Sequence, residues 1–186
     1  MKIELFTGTL IDPEDLLLTD IKLEDIVIGL SNLCRFGGHC SKFYSVLNHS
    51  INCYLESVSR NYPIEAVKLS FCHDFSEGLG LVDIPFPLKK LLPRYDEIES
   101  SVQSVVYERF KVDNSLENNK LMKCIDADMA VYEARYLMKS EGLDSRWHEP
   151  SVGQPGYNVL ERLKNIPGSE LSIKEFWKIC NKLGIK

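Results

Sequence analysis

Apolar residues along this chain recur mainly at intervals of three and four, which is the spacing of one face of an α-helix. A short strand or extended arm over residues 3–8 precedes them. The pattern predicts an all-α fold class, with helices over residues 23–34, 43–60, 63–74, 95–110, 121–136 and 172–184.

Glycine and proline separate these predicted helices. They cluster between Gly78 and Pro93, where we predict a loop with at most one short turn of helix, and again over residues 142–156. Ser172 with Glu175 forms the sequence pattern of a capping box, which places the start of the last helix there. Since there is no repeat, low-complexity tract or linker, we predict that all 186 residues form one domain.

Composition narrows the classes of function. The net charge of −5 argues against a surface that coats a nucleic-acid polymer, whereas a small anionic substrate stays compatible with it. The six cysteines show no CxxC spacing, and we interpret them as reduced core thiols rather than as disulfides or a zinc cluster. No long apolar segment suggests a signal peptide or a membrane span, so we expect a cytoplasmic protein.

Two histidines lie where predicted helices face the interior. The His73-Asp74 doublet ends the apolar run of the third helix, and His49 lies between Val46 and Cys53 on a second helix that is apolar on two sides. Imidazole and carboxylate groups carried inward on helices suit a divalent cation. The alternative is that both histidines are simply buried and hydrogen-bonded. Because inward-facing aspartates accompany them, we favour a metal site between central helices.

A fourth ligand would come from the fifth predicted helix. Asp126 and Asp128 are the two candidates. On a helix of 3.6 residues per turn, Asp128 falls at the edge of the apolar stripe, while Asp126 projects about a third of a turn beyond it. The helical period therefore favours Asp128.

Five short segments together resemble the HD-domain phosphohydrolases, most closely the bacterial 5′-deoxynucleotidases and small phage-encoded relatives such as dATP-type phosphohydrolases. The resemblance covers roughly residues 5–140 and leaves residues 141–186 as a C-terminal helical extension. The matching segments are LSNLCRFGGH (30–39), FYSVLNHS (43–50), HDFSE (73–77), DIPFPLK (83–89) and DAD (126–128).

The resemblance implies a helical bundle whose metal ligands are His49, His73, Asp74 and Asp128. It implies a divalent transition metal (Co, Mn or Zn) and cleavage of a phosphate ester at the 5′ oxygen of a nucleotide, releasing a nucleoside. The expected partner is a small nucleotide substrate, and neither a nucleic-acid polymer nor a membrane is expected. If the gene is from a phage, the protein would be located in the host cytoplasm. We also expect a homo-oligomer.

The same resemblance suggests two catalytic carboxylates. Glu77 lies one turn past the predicted ligand pair and could accept a proton from water, the alternative being a solvated carboxylate at a helix end. Asp83 matches an aspartate that lines the site near the sugar. It lies ten residues after His73, whereas the family pattern has nine.

Three further residues are predicted to bind substrate. Arg35 matches a substrate-contacting arginine, and a guanidinium suits phosphate geometry. Phe36 could stack on a base, although a place in the core is an equal interpretation. Lys89 could contact phosphate, the alternative being an ordinary surface lysine.

The sequence leaves several functions open. Deoxynucleoside monophosphates would yield phosphate, while triphosphates, with dATP as the first guess, would yield triphosphate. Two alternatives are a non-catalytic nucleotide sensor and a hydrolase of a signalling nucleotide.

Overall fold

The structure is a computed structural model that describes residues 2–141 and 149–186. Its described part is an all-α bundle, which confirms the predicted fold class. None of the helices in this part is both long and apolar enough to cross a lipid bilayer. The helices are α1 (Leu23–Asn32), α2 (Val46–Ser59), α3 (Ile64–Cys72), α4 (Phe86–Lys89), α5 (Pro93–Phe110), α6 (Leu116–Leu137), α7 (Tyr157–Lys164) and α8 (Ser169–Leu183).

The N-terminal arm differs from the prediction. Instead of one strand over residues 3–8, two short antiparallel strands, β1 (Ile3–Glu4) and β2 (Leu10–Ile11), form a hairpin. Gly8 turns the chain between them with a φ of 81°, a left-handed conformation that glycine adopts without steric cost.

Helix α2 is the centre of the bundle. It packs against α1, α3, α6, α7 and α8, and every residue from Val46 to Tyr54 is buried. The prediction that this helix is apolar on two sides and central is therefore confirmed. Ser45 caps its start by accepting a hydrogen bond from the backbone N–H of Asn48.

The C-terminal region also departs from the prediction. Helix α7 was not predicted, and α8 begins at Ser169, so the predicted capping box is wrong. Ser172 is buried inside α8, where its hydroxyl donates a hydrogen bond to Asn48 Oδ1 at 2.9 Å. Glu175 forms an ion pair with Arg162 of α7 instead of capping the helix. The predicted loop over 142–156 lies partly outside the described residues.

The main core is aromatic where α3 meets α8. The ring centroid of Phe71 lies 5.2 Å from that of Phe75 and 5.3 Å from that of Phe176, while Phe110 of α5 completes the cluster. Such tilted and edge-to-face contacts add to the free energy of burial. Because Phe176 belongs to α8, residues beyond the family resemblance form part of the same core.

A close approach of two backbones positions the chain after α3. A 3-10 turn over Glu77–Leu79 packs on α1. A Cβ atom on Gly78 would lie 2.6 Å from the carbonyl oxygen of Ile26, and one on Gly29 would lie 2.3 Å from that of Gly78. Only glycine at both positions allows this contact, which fixes the place of Glu77.

Candidate metal centre

Two histidines from neighbouring elements point the same ring nitrogen at each other. His49 lies in the middle of α2 and His73 directly follows α3, and their Nε2 atoms are 3.3 Å apart. His49 Nδ1 donates a hydrogen bond to Glu133 Oε1 at 2.7 Å, and His73 Nδ1 donates one to the carbonyl of Ser70 at 2.9 Å. Since both acceptors require a proton on Nδ1, the neutral rings would turn their Nε2 lone pairs toward one another, as they do in metal sites.

Two aspartate oxygens complete this cluster. Asp126 Oδ1 lies 3.2 Å from His49 Nε2 and 3.6 Å from His73 Nε2. Asp74 Oδ2 lies 3.6 and 3.3 Å from the same two atoms. For metal–ligand bonds of about 2.0–2.1 Å, the edges of a coordination tetrahedron are about 3.3–3.4 Å long. The distances that join the two Nε2 atoms to each other and to the two carboxylate oxygens therefore suit a small divalent cation.

The prediction of Asp128 as the fourth ligand is corrected by this geometry. Asp128 is buried, but its carboxylate forms an ion pair with Arg60 at 2.8 Å and accepts a hydrogen bond from the backbone N–H of Ser151 at 2.9 Å. Asp126 and Asp128 lie about 200° apart around α6, so they face different neighbours. Asp126 contacts the histidines although its side chain is 43% exposed.

The charges of the cluster shift its pKa values in opposite directions. Although part of the Asp126 side chain is exposed, desolvation by the surrounding protein opposes its ionisation; hydrogen bonds to His49 and His73 outweigh this effect and hold its pKa well below the usual range. Burial likewise opposes the charge on His73, while Asp74 and Asp126 raise its pKa. Without a cation, the imidazoles therefore serve as the positive partners of these carboxylates.

Cys53 lies beside this cluster, one turn along α2 from His49. Its Sγ is 3.4 Å from His49 Nε2, and the ligand atoms of His49, Cys53 and His73 lie within 4.8 Å of one another, so this group could hold a metal ion. Burial raises the pKa of the Cys53 thiol to about 11 against the opposing effect of His49. All six cysteines, each in the described part of the chain, are free, but only Cys53, Cys72 and Cys180 are buried in the core as predicted.

Arg35 connects the cluster to the turn after α1. Its backbone N–H donates a hydrogen bond to the carbonyl of Tyr44 at 2.9 Å, which holds the turn against the start of α2. The guanidinium is almost buried, with Nε 3.3 Å from Glu133 Oε2 and Nη1 3.6 Å from Asp74 Oδ2. Burial opposes its charge, but Glu133 and then Asp83 raise its pKa. The structure thus places the positively charged guanidinium of Arg35 next to the predicted metal ligands.

Phe36 has an unusual backbone conformation. Its φ is 56°, and Gly37 and Gly38 continue the left-handed path with φ values of 60° and 81°. Left-handed non-glycine residues are strained and concentrate at functional sites. The Phe36 ring is partly buried against a small core cluster, and the guanidinium carbon of Arg35 is 5.5 Å from its centroid. Both predicted roles of Phe36 are compatible with this position.

Glu77 and Asp83 each bury one carboxylate oxygen that has no hydrogen-bond partner among the described residues, Oε2 and Oδ2 respectively. Burial and then Asp74 and Asp83 raise the pKa of Glu77 well above its usual value. Burial also raises the pKa of Asp83, against the charge of Arg35. Buried oxygens without partners are costly unless water, a proton or a ligand satisfies them, which fits a place at a site.

Lys89 is the predicted substrate ligand that the structure places least favourably. Its ammonium forms an ion pair with Glu99 of α5. Burial lowers the pKa of Lys89, but Glu99 and, more weakly, Glu77 and Asp74 raise it. Lys89 therefore lies within the electrostatic reach of the site while being neutralised by another carboxylate.

Sequence reasoning missed Glu133, which lies between His49 and Arg35. It is fully buried, and Tyr44 donates a hydrogen bond to its Oε1 at 2.8 Å. A signal was present, because Asp126 and Glu133 are seven residues apart and so share one face of a helix.

No protein-family model matches the chain. The resemblance to the HD-domain phosphohydrolases therefore stays a prediction. A comparison with curated proteins finds 35% identity over 150 residues with the "Uncharacterized protein YfdR" of Escherichia coli (strain K12), which covers 80% of this chain and 78% of the E. coli protein. The chain belongs to the same family as YfdR.

Proposed function

We propose that this protein is a metal-dependent phosphohydrolase that cleaves the 5′ phosphate ester of deoxynucleotides. The observation that carries the proposal is the convergence of two imidazole Nε2 atoms and two carboxylate oxygens at 3.2–3.6 Å beside a buried arginine. Imidazole with carboxylate suits the divalent transition metals Co²⁺, Mn²⁺ and Zn²⁺.

The residues that would hold the metal are His49, His73, Asp74 and Asp126. When bound, such a cation lowers the pKa of a water molecule and withdraws charge from a phosphoryl oxygen. The chain's own task is to keep the four donors deprotonated and fixed. The hydrogen bonds from His49 Nδ1 and His73 Nδ1 fix the two rings and hold a proton on Nδ1, which leaves Nε2 as the atom that would bind the metal.

Other residues of the site handle the proton and the phosphate. Glu77, whose Oε2 is buried without a partner, accepts a proton from the attacking water in this proposal. Arg35 binds the phosphate through the guanidinium nitrogens that Glu133 does not contact. Asp83 lines the site near the sugar, and Phe36 packs on the base.

The substrate is proposed from the resemblance rather than from the site. A monophosphate would release phosphate and a triphosphate would release triphosphate, with dATP as the first triphosphate to test. Fold analogy cannot decide between them, because related sites serve different substrates.

The proposal is tested by product analysis. The protein is stripped with a chelator, reloaded with Co²⁺, Mn²⁺ or Zn²⁺, and incubated with four deoxynucleoside monophosphates and four triphosphates. We expect a deoxynucleoside together with phosphate or triphosphate. Binding of nucleotides without any product would instead indicate a sensor, and turnover of guanosine polyphosphates alone would indicate a signalling-nucleotide hydrolase. Either result would overturn the proposal.

Glu77→Gln serves as the matched variant in this experiment. Because the amide cannot accept the water proton, we expect kcat to fall by about 10²–10⁴ while metal content stays that of the wild type. Unchanged turnover would exclude Glu77 as the proton acceptor.

A further inference from the structure

Glu133 is a fully buried carboxylate that contacts two different parts of the site. One oxygen, Oε1, accepts a hydrogen bond from His49 Nδ1 at 2.7 Å and another from the Tyr44 hydroxyl at 2.8 Å. The other oxygen, Oε2, lies 3.3 Å from Arg35 Nε. A buried charge is retained only where partners compensate it, and here the partners are a metal ligand and a phosphate ligand.

The contact with His49 decides which nitrogen faces the cation. Because a carboxylate can only accept a hydrogen bond here, the proton of the neutral imidazole must reside on Nδ1. The Nε2 lone pair then points toward Asp126 and His73. Hydrogen-bonding partners behind metal-binding histidines typically contribute about 10- to 100-fold in metal affinity.

The contact with Arg35 is electrostatic. Arg35 Nε and Glu133 Oε2 are 3.3 Å apart, yet neither atom has a hydrogen-bond partner of good geometry among the described residues. The carboxylate therefore attracts the Nε side of the guanidinium without fixing it through a directional bond. The terminal guanidinium nitrogens of Arg35 face Asp74, and Arg35 Nη1 is 3.6 Å from Asp74 Oδ2.

The surroundings hold Glu133 itself in place. Asn52 donates a hydrogen bond to the Tyr44 hydroxyl at 2.8 Å, and its carbonyl oxygen accepts one from Arg162 Nε of α7 at 2.7 Å. A chain of hydrogen bonds thus runs from α7 through α2 to the carboxylate on α6. Buried hydrogen-bond networks of this kind restrict side-chain positions, here that of the Oε1 side of Glu133.

We propose that Glu133 is a positioning residue that couples the metal centre to the phosphate-binding arginine. One oxygen orients His49 for the cation, and the other draws the guanidinium of Arg35 toward the same cation. The Arg35 half of this inference rests on the proposed function, whereas the His49 half requires only that the site binds a metal.

The test compares Glu133→Gln with Glu56→Gln. Glu56 is an equally buried carboxylate on α2 that contacts Arg60 Nε at 2.9 Å and the backbone N–H of Gly156 at 2.8 Å. Dissociation constants for Co²⁺ and Mn²⁺ are measured by titration calorimetry on chelator-stripped protein without nucleotide. We expect E133Q to weaken binding about 10- to 100-fold. We expect E56Q to lower the melting temperature and to bind both metals as the wild type does.

A second measurement addresses Arg35. The amide of E133Q can satisfy His49 only by turning its NH₂ group toward the guanidinium, so at saturating metal the KM for nucleotide should rise more than kcat falls. The proposal would be overturned if E133Q binds metal within twofold of the wild-type affinity and melts at a temperature similar to that of E56Q. Glu133 would then have only a structural role. If E133Q does not fold, Glu133→Asp replaces it with the same criterion.

The outcomes separate this inference from the proposed function. A wild-type protein that hydrolyses no nucleotide, with E133Q still losing metal affinity, would reject the phosphohydrolase and support the role of Glu133 toward His49. A wild-type enzyme that is active, with unchanged metal affinity in E133Q, would support the proposed function and reject the inference.

Discussion

At the scale of single residues, the site depends on which carboxylate of α6 faces the histidines. Asp126 Oδ1 lies 3.2 Å from His49 Nε2, while Asp128 lies 2.8 Å from Arg60 Nη1. The two side chains are chemically identical and two residues apart. Substituting each aspartate in turn therefore shows how metal binding depends on the side of the helix from which the carboxylate projects.

We expect Asp126→Asn to abolish stoichiometric metal and Asp128→Asn to retain it. The first change removes a charged ligand. The second leaves Arg60, whose side chain is only 9% exposed, without one of its partners and should cost about 1–3 kcal/mol in free energy of unfolding. Elemental analysis and urea denaturation measure the two effects. Full metal occupancy in Asp126→Asn with loss in Asp128→Asn would restore the original prediction.

The sequence predicts His73 and Asp74 because they end an apolar run. It predicts His49 because this residue lies on a helix that is apolar on two sides. It fails between Asp126 and Asp128 because α6 buries residues on two sides. Burial of Asp128 is predicted correctly, but the helical period states only that a side chain is inward. It does not state which neighbour the side chain meets, and that neighbour is Arg60, which directly follows α2.

At the scale of elements, the contact between α1 and the turn over Glu77–Leu79 positions the proposed general base. A methyl group on Gly78 would lie 2.6 Å from the carbonyl oxygen of Ile26, and this backbone atom cannot move aside alone. The turn must shift as a unit, carrying Glu77 with it.

We therefore expect Gly78→Ala to lower both stability and activity. Overpacking of this kind costs about 1–3 kcal/mol, and the shift of Glu77 should reduce kcat beyond what lower stability explains. Gly153→Ala is the control, because a Cβ there meets nothing within 4 Å. Thermal melts and kcat at a temperature where both variants are folded provide the comparison. Wild-type kcat in Gly78→Ala would show that the turn does not position Glu77.

Helix α7 shows why one element could not be predicted. Its buried residues Val159 and Leu163 do have helical spacing, but the helix has only eight residues, which is shorter than the window of about 11–18 residues in which apolar periodicity is recognised. The helix also makes polar contacts, since Arg162 donates hydrogen bonds to Asn52 Oδ1 at 2.7 Å and to Asn48 Oδ1 at 2.9 Å. Sequence patterns assign an arginine to the surface, and only the tertiary structure reveals its partners.

At the scale of the whole molecule, the C-terminal segment belongs to the core that supports the site. Phe176 of α8 lies against Phe71 and Phe75, the latter between His73 and Glu77 in sequence. The predicted resemblance to the HD-domain phosphohydrolases ends near residue 140, but the packing continues through α8.

We expect Phe176→Ala to destabilise the protein by about 3–5 kcal/mol, the usual cost of removing a buried aromatic ring. Leu171→Ala on the same helix, whose side chain is 58% exposed, should have little effect. Chemical denaturation measures both variants. An equal, small loss in the two would mean that α8 is dispensable for the fold of the described core.

The position of Asp126, Asp128 and Glu133 on one helix has a consequence for how the gene can change. Each residue of an α-helix turns the chain by about 100°, so an insertion or deletion of one residue between positions 126 and 133 would rotate Glu133 away from His49 and Arg35 while Asp126 stayed in place. The number of residues in this stretch is therefore fixed by the contacts at its two ends. Relatives that share the proposed metal centre and the role of Glu133 should therefore align without a gap there, and a one-residue gap should mark a relative without them.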